Sequence, residues 1–320
     1  MNHDYLIIPA AVILDLLLGD PRWFPHPVVA IGKLIGLLEK RLRCLTPNER
    51  LGGILLLLLT VGITGGSVWL LLKGAYAISP YAGFIVAVIL SWNCLAARSL
   101  HRESSLVADA LTRGDLDGAR KFLSFIVGRD TRELAEAEIW RGTVETVAEN
   151  SSDGVIAPLL FLMLGGPVLG LAYKAVNTLD SMVGYKNERF LQFGWASARF
   201  DDLVNWLPAR LTGPLMVFVS PIIGLDVRNA WRIMVRDGRN HSSPNSGIPE
   251  AAAAGALGVQ LGGANSYFGT IVEKPTIGDP LKPLDLFAWQ GVVRLMYGAE
   301  GLLLALWLLF LLSAHHSPLR

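Results

Sequence analysis

Long apolar runs separated by dense polar blocks organise this chain. Segments 51–72, 80–97 and 295–314 are each long enough, at about 1.5 Å per residue, to cross a hydrocarbon core of about 30 Å. The last is the cleanest, with Glu300 near one end. Segments 155–173 and 203–224 are as apolar but interrupted, the first by Gly165-Gly166-Pro167 and the second by Pro208, Arg210 and Gly213-Pro214. Interruptions of that kind predict broken or re-entrant helices, which need protein or water over the freed backbone groups. Segment 5–18 is short and contains Asp15; it lacks a basic leader and a small-residue cleavage site, so it reads as retained. Residues 98–150 have the pattern of soluble helices, and Asp130 with Glu133 is spaced as a capping box opening a helix that runs to Asn150.

Composition agrees with a membrane protein: 52% of the 320 residues are hydrophobic, 17% are charged, and the mean hydropathy is +0.44. An average soluble domain carries about 25% charge. A net charge of +1 argues against a nucleic-acid partner. Cys44 and Cys94 stand far apart without metal-ligand spacing and read as isolated thiols. Residues 20–50 hold six Lys/Arg, 98–154 hold eight and 225–294 hold seven, whereas 74–79 hold none. The positive-inside rule then puts the basic segments in the cytoplasm. For the polar blocks to converge on one side, 155–173 must dip in and return at Gly165-Gly166-Pro167. The fold class expected is all-α: a polytopic membrane bundle of one domain, 1–320, with broken or re-entrant helices and cytoplasmic helices packed on it.

Chemistry concentrates between residues 145 and 210. Ionisable groups in or beside hydrocarbon are costly and mark function by default. Arg141, Glu145 and Glu149 fall at i, i+4, i+8 on one helix face, which by itself would suit a solvated salt-bridge stripe. The cluster Asn150-Ser151-Ser152-Asp153-Gly154 then predicts a loop beside a membrane segment. Lys174, Asn177, Thr178 and Ser181 form a polar stripe continuing an apolar helix, followed by Asp180 and Lys186. Arg199, Asp201, Asp202, Asn205 and Arg210 close the region; Arg199 and Asp202 are spaced to pair, while Asp201 and Asp202 suit a hard divalent cation bridging phosphate oxygens. Further on, His241, Ser243, Pro244 and Asn245 precede an alanine-rich helix that Pro249 can begin, and a loop of that kind can cradle an anion. His26, in LDLLLGDPRWFPHPV, reads as a structural histidine. No P-loop motif occurs.

Four blocks, LDLLLGDPRWFPHPVVAIGKLI, VETVAENSSDGVIAPL, YKAVNTLDSMVGYKNERFLQFGWASARFDDLVNWLPARLT and HSSPNSGIPEAAAAGALGVQLGG, resemble the cobalamin-biosynthesis family CbiB/CobD in order and spacing over nearly the whole chain. The resemblance implies an adenosylcobinamide-phosphate synthase of the bacterial inner membrane, multi-pass, its site facing the cytoplasm. Such an enzyme joins adenosylcobyric acid, a corrinoid, to (R)-1-aminopropan-2-ol phosphate or the free amino alcohol through an amide bond, consuming ATP with Mg2+. Other membrane enzymes of the pathway would be its neighbours. On that reading the catalytic candidates are Glu145, Glu149, Asn150, Asp153, Lys174 and Asp180, with Glu145 or Glu149 accepting the amine's proton. Metal candidates are Asp153, Asp201 and Asp202. Asn177, Lys186, Arg199, Asn205, Arg210, His241, Ser243 and Asn245 would contact substrate or phosphate, arginine being suited to bidentate contacts. A transporter or an AmpE-like membrane signalling protein would share the architecture without needing these blocks.

Overall fold

The computed structural model describes residues 4–316 apart from 22, 186, 268 and 269. In chain order the helices are α1 (Ile7–Leu18), α2 (Pro27–Leu45), α3 (Glu49–Ile78), α4 (Pro80–Trp92), α5 (Ala97–Thr112), α6 (Leu116–Leu123), α7 (Glu136–Asn150), α8 (Ala157–Val183), α9 (Trp195–Val204), α10 (Trp206–Val219), α11 (Val227–Asp237), α12 (Gly247–Leu257) and α13 (Leu286–His316). A hairpin of β1 (Leu261–Tyr267) and β2 (Thr270–Ile277) is the one departure from helix among the described residues. Two compact units result, each from two stretches of chain: Met1–Ala96 with Ala157–Asn205, and Ala97–Ile156 with Trp206–Arg320.

Five helical stretches are long and apolar enough to cross a membrane: Glu49–Ile78, Pro80–Thr112, Glu136–Val183, Trp206–Ile223 and Leu286–Ala314. In α3 and α13, Leu58, Ile63, Leu70, Leu306, Leu309 and Phe310 stand exposed, an apolar surface that suits lipid. Local signals set the ends. Asn48 caps α3 by accepting from the N–H groups of Arg50 and Leu51, and Ser79 caps α4 ahead of Pro80.

In the first unit, Ile35, Leu56, Leu179 and Phe193 form the core where α2, α3, α8 and the α8–α9 connection meet. The break at Gly165-Gly166 is real: both residues are non-helical, and Gly166 has φ +61°. A straight helix would hold Phe161 and Tyr173 about 18 Å apart. Their rings instead stack 5.0 Å apart, and Gly170 packs against the Leu162 side chain. The segment therefore folds back on itself at Gly165-Gly166 as a helical hairpin.

The second unit packs Val107, Ile139, Val144, Met216, Ile233, Ala252 and Met296 into one apolar cluster. Three expectations fail here. Helix α7 starts at Glu136, not near Asp130, because the carboxylate of Glu138 accepts from the Ala135 N–H and supplies the cap. The polar run after Asn150 is not a loop but a π-helical turn, Ser151–Ile156. Asn150 Nδ2 and Ser151 Oγ donate to the carbonyls of Thr146 and Val147, so short polar side chains bond to their own helix and the turn widens. Pro208, Arg210 and Gly213-Pro214 do not break α10. Pro208 lies in its first turn, where no intrahelical donor is lost, and the helix ends instead at Ser220-Pro221 with Gly224 at φ +78°. Cys44 and Cys94 are free thiols, one exposed and one buried.

Candidate functional site

The face of α7 that carries Arg141, Glu145 and Glu149 is covered, not solvated. Arg129, from the connection before α7 and almost fully buried, lies 3.0 Å from Glu145 Oε2, and Arg141 Nε lies 3.8 Å from Glu145 Oε1. The Gly262 N–H donates to the same Oε1 at 2.8 Å, and Arg141 donates to the Ala264 carbonyl at 2.9 Å. The β1 backbone reaches this face through a bulge between Gly262 and Gly263, whose φ values of +78° and +83° suit glycine alone. Glu145 is thus a compensated carboxylate, held by two arginines and an amide.

One turn further along α7, Glu149 meets the loop before α12. The Ser246 hydroxyl donates to Glu149 Oε1 at 2.8 Å, so this helix-capping serine spends its side chain on a carboxylate and not on its own helix. Ser243 Oγ accepts from the N–H groups of Asn245 and Ser246, and the Ser243 N–H donates to His241 Nδ1 at 3.0 Å. Arg210 closes the loop: it donates to Asn245 Oδ1 at 2.8 Å and to the carbonyls of Trp206 and Pro244, with its guanidinium 4.7 Å from the Trp206 ring centre. Helix α12 begins at Gly247, two residues before the expected Pro249.

Glu250 belongs to this cluster and was absent from the sequence candidates. It is fully enclosed, 3.8 Å from His241 Nε2. Burial, then Glu149 and Glu145, push its carboxyl well above the usual range, against Lys274 and Arg129. A lone acid in GIPEAAAAGAL was the available signal. Arg129 and Lys274 were missed for lack of any local pattern. With Arg120, Lys121 and Arg132, Arg129 also lines a cavity of about 500 Å3.

A different arrangement occupies the first unit. Asp201, buried in α9, accepts from Asn205 Nδ2 at 2.9 Å, and the Asn205 Oδ1 in turn accepts from the Tyr173 hydroxyl at 2.9 Å. Burial, then Asp180, raises the Asp201 carboxyl to about 7; Asp202 adds to the rise, and hydrogen bonds from Asn205 and Asn177 oppose it. Asp201 Oδ1 is buried without a hydrogen-bond partner among the described residues. The candidates Asn177, Asp180, Asp201, Asp202 and Asn205 therefore share one neighbourhood, and Tyr173 joins them. The Thr178 and Ser181 hydroxyls each donate to a carbonyl of their own helix. Lys174 is half-buried on α8. Arg199 is exposed and forms no ion pair among the described residues, so the alternative of a structural Arg199–Asp202 pair does not occur. Lys186 lies outside the described residues. Asp153 sits half-buried in the π turn of the second unit. Among the described residues, no group of three His, Cys, Asp or Glu is arranged to hold a metal alone. His26 does structural duty: Nδ1 accepts from the Val28 N–H at the start of α2 and Nε2 lies 3.3 Å from Asp20.

The CobD/Cbib protein family model matches residues 8–296. A cobalamin biosynthesis protein CobD from Geobacter metallireducens is 72% identical over 306 residues, 96% of either chain. A CobD of the same description from Pelobacter propionicus is 59% identical over 93% of this chain and 92% of its own. The cobalamin biosynthesis protein CbiB of Salmonella typhi is 48% identical over 93% of this chain and 94% of its own. No solved structure matches. With polar clusters built from the same blocks that carry the resemblance, and a family match across almost its whole length, this chain belongs to the CobD/CbiB family of cobalamin biosynthesis proteins.

Proposed function

We propose that this protein is an ATP-dependent amide ligase, joining the carboxylate of adenosylcobyric acid to the amine of (R)-1-aminopropan-2-ol phosphate, or of the free amino alcohol, in a bacterial inner membrane. A carboxylate does not acylate an amine unaided at neutral pH, so ATP must activate it, most simply as an acyl phosphate. The amine must then lose protons to a positioned base. The observation that best supports the reading is Glu149: a shielded carboxylate fixed by the Ser246 hydroxyl, beside a half-buried histidine and a buried acid. Glu145 suits the base less well, because Arg129, Arg141 and the Gly262 N–H already claim it.

Magnesium fits the first unit's carboxylates. Among the described residues Asp201 Oδ1 is a buried oxygen without a hydrogen-bond partner, and Asp180 and Asp202 act on Asp201 as like charges that a cation would offset. Mg2+ commonly takes one or two carboxylates and completes its shell with phosphate oxygens and water, so the lack of a three-ligand cage is no obstacle. Asp201 and Asp202 would hold it and, bound there, it would spread phosphate charge; Asp153, in the second unit, stands as a separate candidate. Arg199 is exposed and makes no ion pair among the described residues, which suits it to phosphate, while Arg210 orders the 241–246 loop first. The basic 20–50 and 98–154 segments and the α8 hairpin support a cytoplasm-facing site.

The test is direct. Purified protein is given ATP, magnesium, adenosylcobyric acid and aminopropanol phosphate, and the nucleotide and corrinoid products are identified. Amide product formed in step with ATP cleavage is expected; ATP-independent conversion, or no corrinoid product, refutes the reading.

A further inference from the structure

Helix α6 puts Asp117, Arg120, Lys121 and Ser124 at i, i+3, i+4 and i+7 on one polar face, while Ala119 and Leu123 on the other are buried in the core of the second unit. With Arg129, Asp130 and Arg132 of the connection to α7, that polar face lines the cavity of about 500 Å3. Small-molecule sites run from roughly 300 to 1,000 Å3, so the space is ample for a ligand. Four cationic side chains, Arg120, Lys121, Arg129 and Arg132, stand against two carboxylates, Asp117 and Asp130, which leaves the lining a net charge of +2. A solvated stripe of surface charges would leave all of them loose, and two are not. The Arg129 side chain is only 6% exposed, with Nη1 held 3.0 Å from Glu145 Oε2. Gly142 of α7 leaves the guanidinium its place, since a Cβ there would collide with Nη2. Arg120 Nε donates to the Leu134 carbonyl at 3.0 Å, and Nη1 to Asp117 Oδ1 at 3.0 Å, a carboxylate that is itself 94% exposed. Lys121 and Arg132 are exposed and make no ion pair among the described residues. Two seated guanidinium groups and two cations without ion pairs thus share one concavity.

We propose that this cavity binds the phosphate group of a small phosphate-bearing molecule. A phosphate monoester carries about −1.5 to −2 at pH 7, which the lining matches, whereas a single carboxylate would leave half of the +2 unmet. Guanidinium forks suit phosphate oxygens bidentately, and lysine adds a point charge. Arg129 would be shared, its guanidinium serving the occupant and the Glu145 carboxylate together. The site goes beyond the ligase reading and stands without it. A nucleotide and a phosphorylated amino alcohol have this chemistry in common, and the test separates them.

The experiment uses the full-length protein in detergent, carrying Cys44→Ser and Ser124→Cys, so that one thiol reports from the cavity wall while Cys94 stays buried. Alkylation by iodoacetamide is timed at fixed ionic strength in the presence of inorganic phosphate, aminopropanol phosphate, or ATP with and without magnesium. Saturable slowing by at least one of these is expected. Adding Lys121→Gln and Arg132→Gln should raise the concentration needed for protection by about tenfold or more, the scale of losing charge-assisted contacts, and leave the thermal midpoint unchanged. Arg129→Gln is a poorer probe, because it also takes a partner from Glu145. Protection at the lowest concentration by aminopropanol phosphate makes the amino alcohol the occupant; by ATP, the nucleotide; by all alike, phosphate itself. Alkylation that no phosphate compound slows, or protection that survives loss of both cations, overturns the proposal. Protection is read without turnover, so ligation by a protein with an unprotected cavity refutes this site alone. A protected cavity without ligation refutes the ligase reading alone.

Discussion

Glu145 and Asp201 are both shielded carboxylates in an apolar chain, and each is stabilised differently. Glu145 receives two guanidinium groups and a backbone N–H, so its charge is matched where it sits. Among the described residues Asp201 receives amide donors only, from Asn205 and Asn177, and lies among the like charges of Asp180 and Asp202 with one oxygen unpartnered. A matched charge is structure: it holds α7 against the hairpin and the connection before it. An unmatched one costs stability, and a fold retains it only where something else supplies the missing cation. The contrast separates scaffold from chemistry more sharply than burial does.

The largest effect expected from that contrast is a split between activity and stability. Asp201→Asn should cut ligation by about 10³-fold, the scale of removing one catalytic group. It should leave the thermal midpoint unchanged or a few degrees higher, because the substitution removes an unmatched buried charge. Asp153→Asn and Asp202→Asn should also lose activity while the protein still inserts and folds. Glu145→Gln should do the reverse, losing about 3 kcal/mol because it removes the carboxylate that the Arg129 and Arg141 guanidinium groups share. Thermal unfolding beside product assays reads both, and an Asp201→Asn protein as active as wild type would erase the distinction.

Next come the arginines. Arg199→Gln should raise the apparent KM for ATP or aminopropanol phosphate about ten- to a hundredfold, the cost of one charge-assisted contact, and leave stability alone. Arg210→Gln should raise the apparent KM and also lower stability, since Arg210 also fixes Asn245 and Pro244. Unchanged kinetics in both variants would retire the phosphate role.

The smallest effect concerns pH. The Glu250 carboxyl titrates in the folded protein well above its ordinary value of 4.5. The folded protein therefore keeps a proton that the unfolded chain has lost, and stability falls as pH rises through the window that opens at 4.5. Glu250→Gln removes that penalty, so its advantage in thermal midpoint over wild type should grow from pH 4.5 towards neutrality. An advantage that shrinks with pH would mean the carboxyl ionises inside the fold.

Much of this was legible in the residues. Apolar run length announced the spanning helices, and Gly165-Gly166-Pro167 announced the α8 hairpin, because both depend on local backbone physics. Asn177, Asp180, Asp201 and Asn205 all stood among the candidates, but spacing did not foretell their meeting: the stripe read along α8 was Lys174, Asn177, Thr178 and Ser181. What failed was whatever depended on remote partners. Nothing near Arg129 says that it meets Glu145, and nothing near Arg141 says that β1 covers it. The polar run after Asn150 looked like a loop because its side chains favour turns; they instead bond back to α7 and continue it as a π turn. Pro208 and Pro214 looked like breaks and are accommodated within α10.

The central claim is that Glu149 takes the amine's proton after ATP has activated the carboxylate, and hydroxylamine tests it most directly. Hydroxylamine is largely unprotonated at neutral pH and needs no base to capture an acyl phosphate. Glu149→Gln, given ATP, magnesium, adenosylcobyric acid and hydroxylamine, should form the corrinoid hydroxamate at close to the wild-type rate, yet form amide from aminopropanol phosphate about 10²- to 10⁴-fold more slowly. Loss of the hydroxamate together with the amide would place Glu149 in activation, and wild-type amide formation would remove it from the chemistry.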